Sequence, residues 1–210
     1  MHKRKVAYAS ADSTGFEAHH ISHYFYRQRL RSYKDGKEPV IRRKFPKLSV
    51  IVDLSSHVIL AAFGSRGPRP DVGQLEKTIS LVPSDISIRT IVADAGYDSE
   101  PNHQRLRSRG IRSLIPPWHG RTRTSGNPPR GYWRKIMFDR FKNGSPNTYK
   151  KRWQVETVFS MLKRNLSPHL QARLRHSQNR ELLLKILTHN TMILMALLQL
   201  FYRAYHLPFK

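Results

Sequence analysis

Cysteine is absent from this sequence. That excludes disulfides, cysteine-based zinc sites and thiol nucleophiles. Acid is scarce: the 210 residues hold Asp+Glu 14 against Lys+Arg 38, a formal net charge of +24. A field of that size calls for a polyanionic partner, because otherwise it repels itself. Nucleic acid is the first expectation and an anionic membrane surface the second. Long apolar runs are lacking too. The start, Met1 to Asp12, has no apolar core of a signal peptide. The longest run, Met192 to Leu198, is too short to cross a bilayer. A soluble, intracellular protein is the simplest expectation.

What is there suits one domain, residues 1–210, with an ordinary apolar content of 39% for its core. Five segments have strand character: Val6–Asp12, Leu48–Leu54, Val58–Gly64, Ile86–Asp94 and Ile111–Pro117. The second and third flank Ser55-Ser56-His57 and read as a hairpin. Phe16 to Lys47 is polar, basic and rich in His and Tyr, and reads as irregular or partly helical. Short helices are expected over Gln74–Leu81 and Glu100–Arg109, the latter closed by Gly110. Trp118 to Thr148, rich in Gly, Pro, Arg and Asn, reads as a long basic loop. A helical part follows over about 149–205, ending in a long helix from Glu181 to Tyr205. That helix is apolar almost all round, so it should be buried or face a partner. Strands alternating with helices predict a mixed sheet covered by helices.

One carboxylate, Glu156, sits among Lys150, Lys151, Arg152, Lys163 and Arg164. At about 100° per residue, Tyr149, Arg152, Glu156 and Lys163 share a helix face roughly 60° wide. Val155, Val158, Phe159 and Leu162 form a separate core stripe. The plain reading of Arg152 and Glu156 is a solvated i, i+4 ion pair worth about 0.3–0.5 kcal/mol. The other reading brings in Asp12 and Asp94, each at the end of a predicted strand, where ligands collect in open sheets. Two such Asp and one Glu make an all-oxygen site suited to Mg²⁺, or Mn²⁺ in its place. Two ions there could activate a nucleophile and stabilise the leaving oxygen of a phosphodiester. Lys and Arg cannot hold the metals, which gives a reason for a lone acid in a basic helix.

Other candidates are weaker on the residues alone. Asp98 competes with Asp94, or serves as a turn or N-cap for the helix at Glu100. Asp53 lies in the second strand and is expected to be structural. His19, His20 and His23 have metal-like spacing but no Cys and only Glu17 nearby, which favours a polar loop. From Arg105 to Arg152 there are fourteen Lys and Arg, among them Arg121 and Arg123, against Asp139 alone. Trp118, Tyr132, Trp133 and Phe138 are interleaved. Bases with aromatics suit a surface that follows a nucleic-acid backbone rather than reading its sequence. A solvated basic loop is the plain alternative.

The stretch Tyr149, Arg152, Glu156, Lys163 resembles the Tyr-x2-Arg-x3-Glu-x6-Lys signature of DDE-type transposases of bacterial and archaeal insertion sequences. Asp-Ser-Thr-Gly-Phe at Asp12 and Ala-Asp-Ala-Gly-Tyr-Asp-Ser around Asp94 resemble that family's first and second acidic motifs. The likeness runs from about Val6 to about Leu198. It implies a ribonuclease-H-like fold with a five-stranded mixed sheet in the order 3-2-1-4-5. It also implies an enzyme that uses Mg²⁺, as a pair of ions, to cut at the element's ends. The freed 3′-hydroxyl would then attack target DNA. Asp12, Asp94 and Glu156 would be the metal triad, while Tyr149, Arg152 and Lys163 would hold DNA, with Lys150, Lys151, Arg121, Arg123 and Trp133 in support. DNA would be the partner, no membrane is implied, and a homodimer on DNA and a cytoplasmic, nucleoid-associated place in a prokaryote would follow. Relatives carry a sizeable region before the first acidic motif, whereas here Asp12 comes early. The expectation is a catalytic domain lacking that region, with a non-catalytic DNA-binding remnant as the alternative. A nuclease of the same fold acting on RNA–DNA hybrids is a third reading, disfavoured by the Tyr-Arg-Glu-Lys set.

Overall fold

The computed structural model describes residues 3–18, 44–117 and 129–206. Its centre is a sheet of β1 (Arg4–Gly15), β2 (Phe45–Asp53), β3 (Ile59–Gly67), β4 (Ile86–Ala93) and β5 (Arg112–Leu114). The strand order is β3-β2-β1-β4-β5, with β2 antiparallel to both neighbours and β1, β4 and β5 parallel. This is the order and the mixed direction expected of a ribonuclease-H-like sheet.

Both faces are covered, which is why the strands carry apolar runs rather than strict alternation. On one face Ile51, Ile88, Ile91 and Ala93 pack with α1 (Leu75–Ile79) and α2 (Glu100–Ser108) through Leu75, Ile79 and Leu106. On the other, Leu48, Val50 and Val52 meet Val155, Val158, Phe159 and Leu162 of α5 (Gln154–Leu166). Successive residues of β2 therefore face opposite layers, as the period of two in a strand requires. Gly110 closes α2 at φ 73°, a left-handed conformation that glycine adopts without penalty.

Several expectations need correction. The segment 118–148 is not loop throughout: Tyr132–Lys142 is a helix, α3. Its Met137 is buried against Leu54, Val92 and Leu114, with Ile136 and Phe141 packed alongside. That tertiary burial overrides the turn-rich composition around it. The signature is not one helix either. It consists of α4 (Asn147–Lys150), a 3-10 turn (Lys151–Trp153) and α5. The tighter 3-10 winding changes the angular positions that a uniform helix assigns to Tyr149 and Arg152 relative to Glu156. The expected strand end at Asp12 is also wrong, since β1 runs on to Gly15. His19, His20, His23, Trp118, Arg121 and Arg123 lie outside the described residues.

The last helix, α6 (Arg175–His206), is buried only in its first half. Leu182 and Ile186 join the α5 core, and His189 Nε2 donates to the His57 carbonyl at 3.0 Å. The Asn190 amide accepts from Ile59 N and donates to Ile59 O, both at 2.9 Å. It thus satisfies the backbone at the start of edge strand β3. Lys185 Nζ donates to the Leu166 carbonyl at the end of α5. Beyond this, Met192, Leu194, Leu198 and Phe201 are exposed, so of the two expectations, burial or a partner-facing surface, burial holds only for the first half. By length and composition Arg175–Arg203 is apolar enough to cross a membrane, although Met192 to Leu198 alone is short. Its first half is instead bound to the sheet.

Candidate active site

The parallel ladder between β1 and β4 ends at the pair Ala11 and Ala93. The next residue on each strand is an acid, Asp12 and Asp94. Register alone therefore sets the two carboxylates side by side where β4 stops. Asp12 is also paired with Val50, which faces α5, so the Asp12 side chain points to the layer that carries Glu156. Thr14, two residues on, points the same way, and Lys163 Nζ donates to its Oγ1 at 2.7 Å.

Asp12 accepts from Ser13 N at 2.7 Å and from Arg152 Nη1 at 3.4 Å. Its pKa is raised to about 6, first by burial and then, among the charges, by Asp94; the Ser13 bond and Arg152 act in the opposite sense. Asp94 caps the short turn Ala95–Tyr97, its Oδ1 accepting from Gly96 N at 2.9 Å. Glu156 is much more open, its side chain 60% exposed against 16% for Asp12. Its Oε1 accepts from Arg152 Nη2 at 2.9 Å. One guanidinium thus joins Asp12 on β1 to Glu156 on α5. Burial opposes the charge of Arg152, but Asp12, Tyr149 and Glu156 together outweigh it and hold the group protonated.

The remaining basic and aromatic candidates divide. Tyr149 is half-buried, stacks edge-on to Phe141 with centroids 5.1 Å apart, and has its pKa raised first by burial. Lys163 lies 5.6 Å from the Phe16 ring. Lys150, at the end of α4, and Lys151, at the start of the 3-10 turn, are exposed, with Lys151 over Tyr8 at 5.8 Å. Trp133 belongs elsewhere. Its ring carries Arg107 at 4.4 Å and its N–H donates to Glu100, so its contacts are with α2 rather than with the acids. Asp53 is structural as expected, accepting from Ser55 and Ser56 in the hairpin turn. Asp98 is not the N-cap of α2; Ser99 is. Asp98 is buried and paired with Arg134 at 2.7 Å and His103 at 3.2 Å.

Three residues at the site escaped sequence reading. Asp71 accepts from Ser13 Oγ at 2.5 Å and pairs with Lys47 at 2.7 Å. Tyr97 is buried beside them, and burial, then the charges of Asp71 and Asp12, lift its phenol well above the usual range. Asp71 lies in a Gly- and Pro-rich loop, and no spacing rule points to it. Lys47 had looked like part of a polar segment, yet it ends up on β2.

Among the described residues no three His, Asp or Glu converge closely enough to hold a metal ion. The donor chemistry nevertheless fits a hard divalent cation. Asp12 and Asp94 are oxygen donors whose like charges disfavour one another, and Glu156 is open enough to move. Two oxygen donors just past the end of the β1–β4 ladder, with a third on a basic helix beside them, define a class of site suited to phosphate chemistry.

The family model described as Transposase DDE domain matches residues 9–191. The chain belongs to that family. No curated protein matches it. Among solved structures, it is similar to a chain in the cryoEM structure of the simian T-cell lymphotropic virus intasome in complex with PP2A regulatory subunit B56 gamma. Identity is 12% and the TM-score 0.39, over 86% of this chain and 50% of that one. The chain therefore spans half the length of that relative.

Proposed function

We propose that the chain is the catalytic domain of an insertion-sequence transposase, cutting DNA at the element's ends and joining the freed 3′-hydroxyl to target DNA. The observation that carries this reading is the register that ends the β1–β4 ladder immediately before Asp12 and Asp94, with Glu156 tied to Asp12 through Arg152. Asp12, Asp94 and Glu156 would hold Mg²⁺, or Mn²⁺ in its place. Such ions, when bound, activate the attacking oxygen and stabilise the leaving one. Lys163, Arg152 and Tyr149 grip the phosphate backbone beside the acids, and the exposed Lys150 and Lys151 extend that surface. DNA is the partner, two copies would act on paired ends, and the place of action is the prokaryotic nucleoid.

The test is nicking of supercoiled plasmid in Mn²⁺ and in Mg²⁺, comparing wild type with Asp94→Asn. Nicking by wild type, reduced about a thousand-fold in the variant, corresponds to about 4 kcal/mol of barrier and supports the reading. Salt-sensitive DNA binding with no nicking by either protein in either metal counts against it, and favours a DNA-binding chain without chemistry.

A further inference from the structure

Arg152 stands between two acids that come from different elements. Its Nη1 lies 3.4 Å from Asp12 Oδ2 and its Nη2 2.9 Å from Glu156 Oε1. A guanidinium is a planar fork with several donors, so one Arg can serve two carboxylates at once. Asp12 also has Asp94 beside it, and the two like charges call for a cation nearby. Arg152 supplies that charge from a side chain still 25% exposed, so solvent and ligands can reach it.

Lys163 offers a contrast. It donates to the neutral hydroxyl of Thr14 at 2.7 Å. A phosphate that captures Lys163 breaks no ion pair there. A phosphate that captures Arg152 frees both Asp12 and Glu156. Arg suits that exchange, because its fork matches phosphate oxygens as well as carboxylate oxygens.

Building on the metal-dependent reading above, we propose that Arg152 is a placeholder cation. It occupies the ground between Asp12 and Glu156 until a DNA phosphate draws it off, and only then are both acids open to a divalent metal. Metal and DNA therefore bind cooperatively. The coupling must be reciprocal: DNA raises metal affinity by the factor by which metal raises DNA affinity. The arrangement also keeps the cutting site closed to metal until DNA is in place.

The experiment measures Mn²⁺ binding to the full chain by electron paramagnetic resonance, with and without a short mixed-sequence duplex. Mn²⁺ held by the duplex alone is subtracted. Asp94→Asn identifies which bound Mn²⁺ belongs to the site. For wild type, duplex tightens site binding at least about five-fold. For Arg152→Gln, Mn²⁺ without DNA binds tighter than to wild type by a similar factor, and the duplex adds little. Arg152→Lys, which keeps the charge and loses the fork, falls between them and guards against misfolding of the first variant. If Mn²⁺ binding depends on Asp94 but Arg152→Gln does not tighten it, the placeholder role is overturned and the catalytic site stands. If no variant binds Mn²⁺ in an Asp94-dependent way, both fall together.

Discussion

Asp12 and Glu156 are bridged by the same guanidinium, yet they are held in different ways. Asp12 sits inside a strand paired on one side and just past a partner on the other, and its carboxylate is largely buried. Its position follows from backbone hydrogen bonds and a register that a slip of one residue would reverse. Glu156 rides in the first turn of α5, whose placement comes from the stripe Val155, Val158, Phe159 and Leu162. Its carboxylate lies largely in solvent and, among the described residues, is directed by Arg152. The strand side of the site thus fixes position, while the helix side can adjust. The two-sided construction fits the proposed reading, in which DNA enters before the acids hold metal.

The strand side is reinforced from behind, and breaking that support is expected to have the largest effect on stability. Asp98, four residues after Asp94, has a side chain 0% exposed and takes two bonds from Arg134, at 2.8 and 2.7 Å. Glu100 accepts from Trp133 N and Arg134 N, both at 3.1 Å, capping α3. Gly131 allows this approach: at φ 107°, a Cβ there would lie 2.4 Å from Glu100 Oε2. Arg134→Ala removes the guanidinium paired with a buried carboxylate, so a loss of about 3 kcal/mol is expected. Urea unfolding monitored by circular dichroism checks it, together with any loss of nicking as the Asp94 turn loosens. A loss under about 0.5 kcal/mol would mean that α3 is not what braces the strand side.

How much of this was legible depended on whether the signal was local. The five strands were legible because apolar runs and turn residues lie next to one another in the chain, whereas their order followed only from the family resemblance. The core stripe of α5 was legible from its spacing. The α3 helix was not, because its three burying residues, Ile136, Met137 and Phe141, sit in a segment crowded with Gly, Pro and Arg. Their partners, Leu54 in the turn after β2, Val92 on β4 and Leu114 on β5, come from elsewhere in the chain. Asp71 and Lys47 were hidden for the same reason, since only the fold brings their charges to Ser13. The 3-10 turn at Lys151–Trp153 departs from the uniform helix of the angular argument, yet Arg152 still reaches both Tyr149 and Glu156.

The burial of Asp12 sets a second, smaller effect on its own side. Its pKa is raised from 3.8 to about 6, with burial as the largest cause. A carboxyl whose folded pKa lies above its unfolded value favours folding when protonated. That contribution is complete below about pH 4 and is lost as pH rises through about 6. Asp12→Asn removes the titration. The variant should therefore gain on wild type between pH 4 and pH 7.5, by on the order of 2 kcal/mol. Thermal melts at those two pH values, without divalent metal, measure the difference. A constant gap between the two proteins would mean that the Asp12 carboxylate is already well compensated in the folded state.

Glu156→Gln gives the smallest effect on stability and the sharpest test of the comparison. The residue is exposed, and its pair with Arg152 is an i, i+4 contact on a helix surface. Such a pair is worth about 0.3–0.5 kcal/mol and less in salt. The variant should therefore melt within about 0.5 kcal/mol of wild type at every pH where Asp12→Asn departs from it. Its nicking should nonetheless fall as far as that of Asp94→Asn, because a metal-holding acid acts in the reaction whether or not it supports the fold. If Glu156→Gln unfolds readily, the helix side is as rigidly built as the strand side and cannot adjust as described. If it is stable and still nicks DNA at the wild-type rate, Glu156 forms only a surface ion pair, and the acid that completes the site has to be sought elsewhere, with Asp71, partly buried beside Ser13, a candidate.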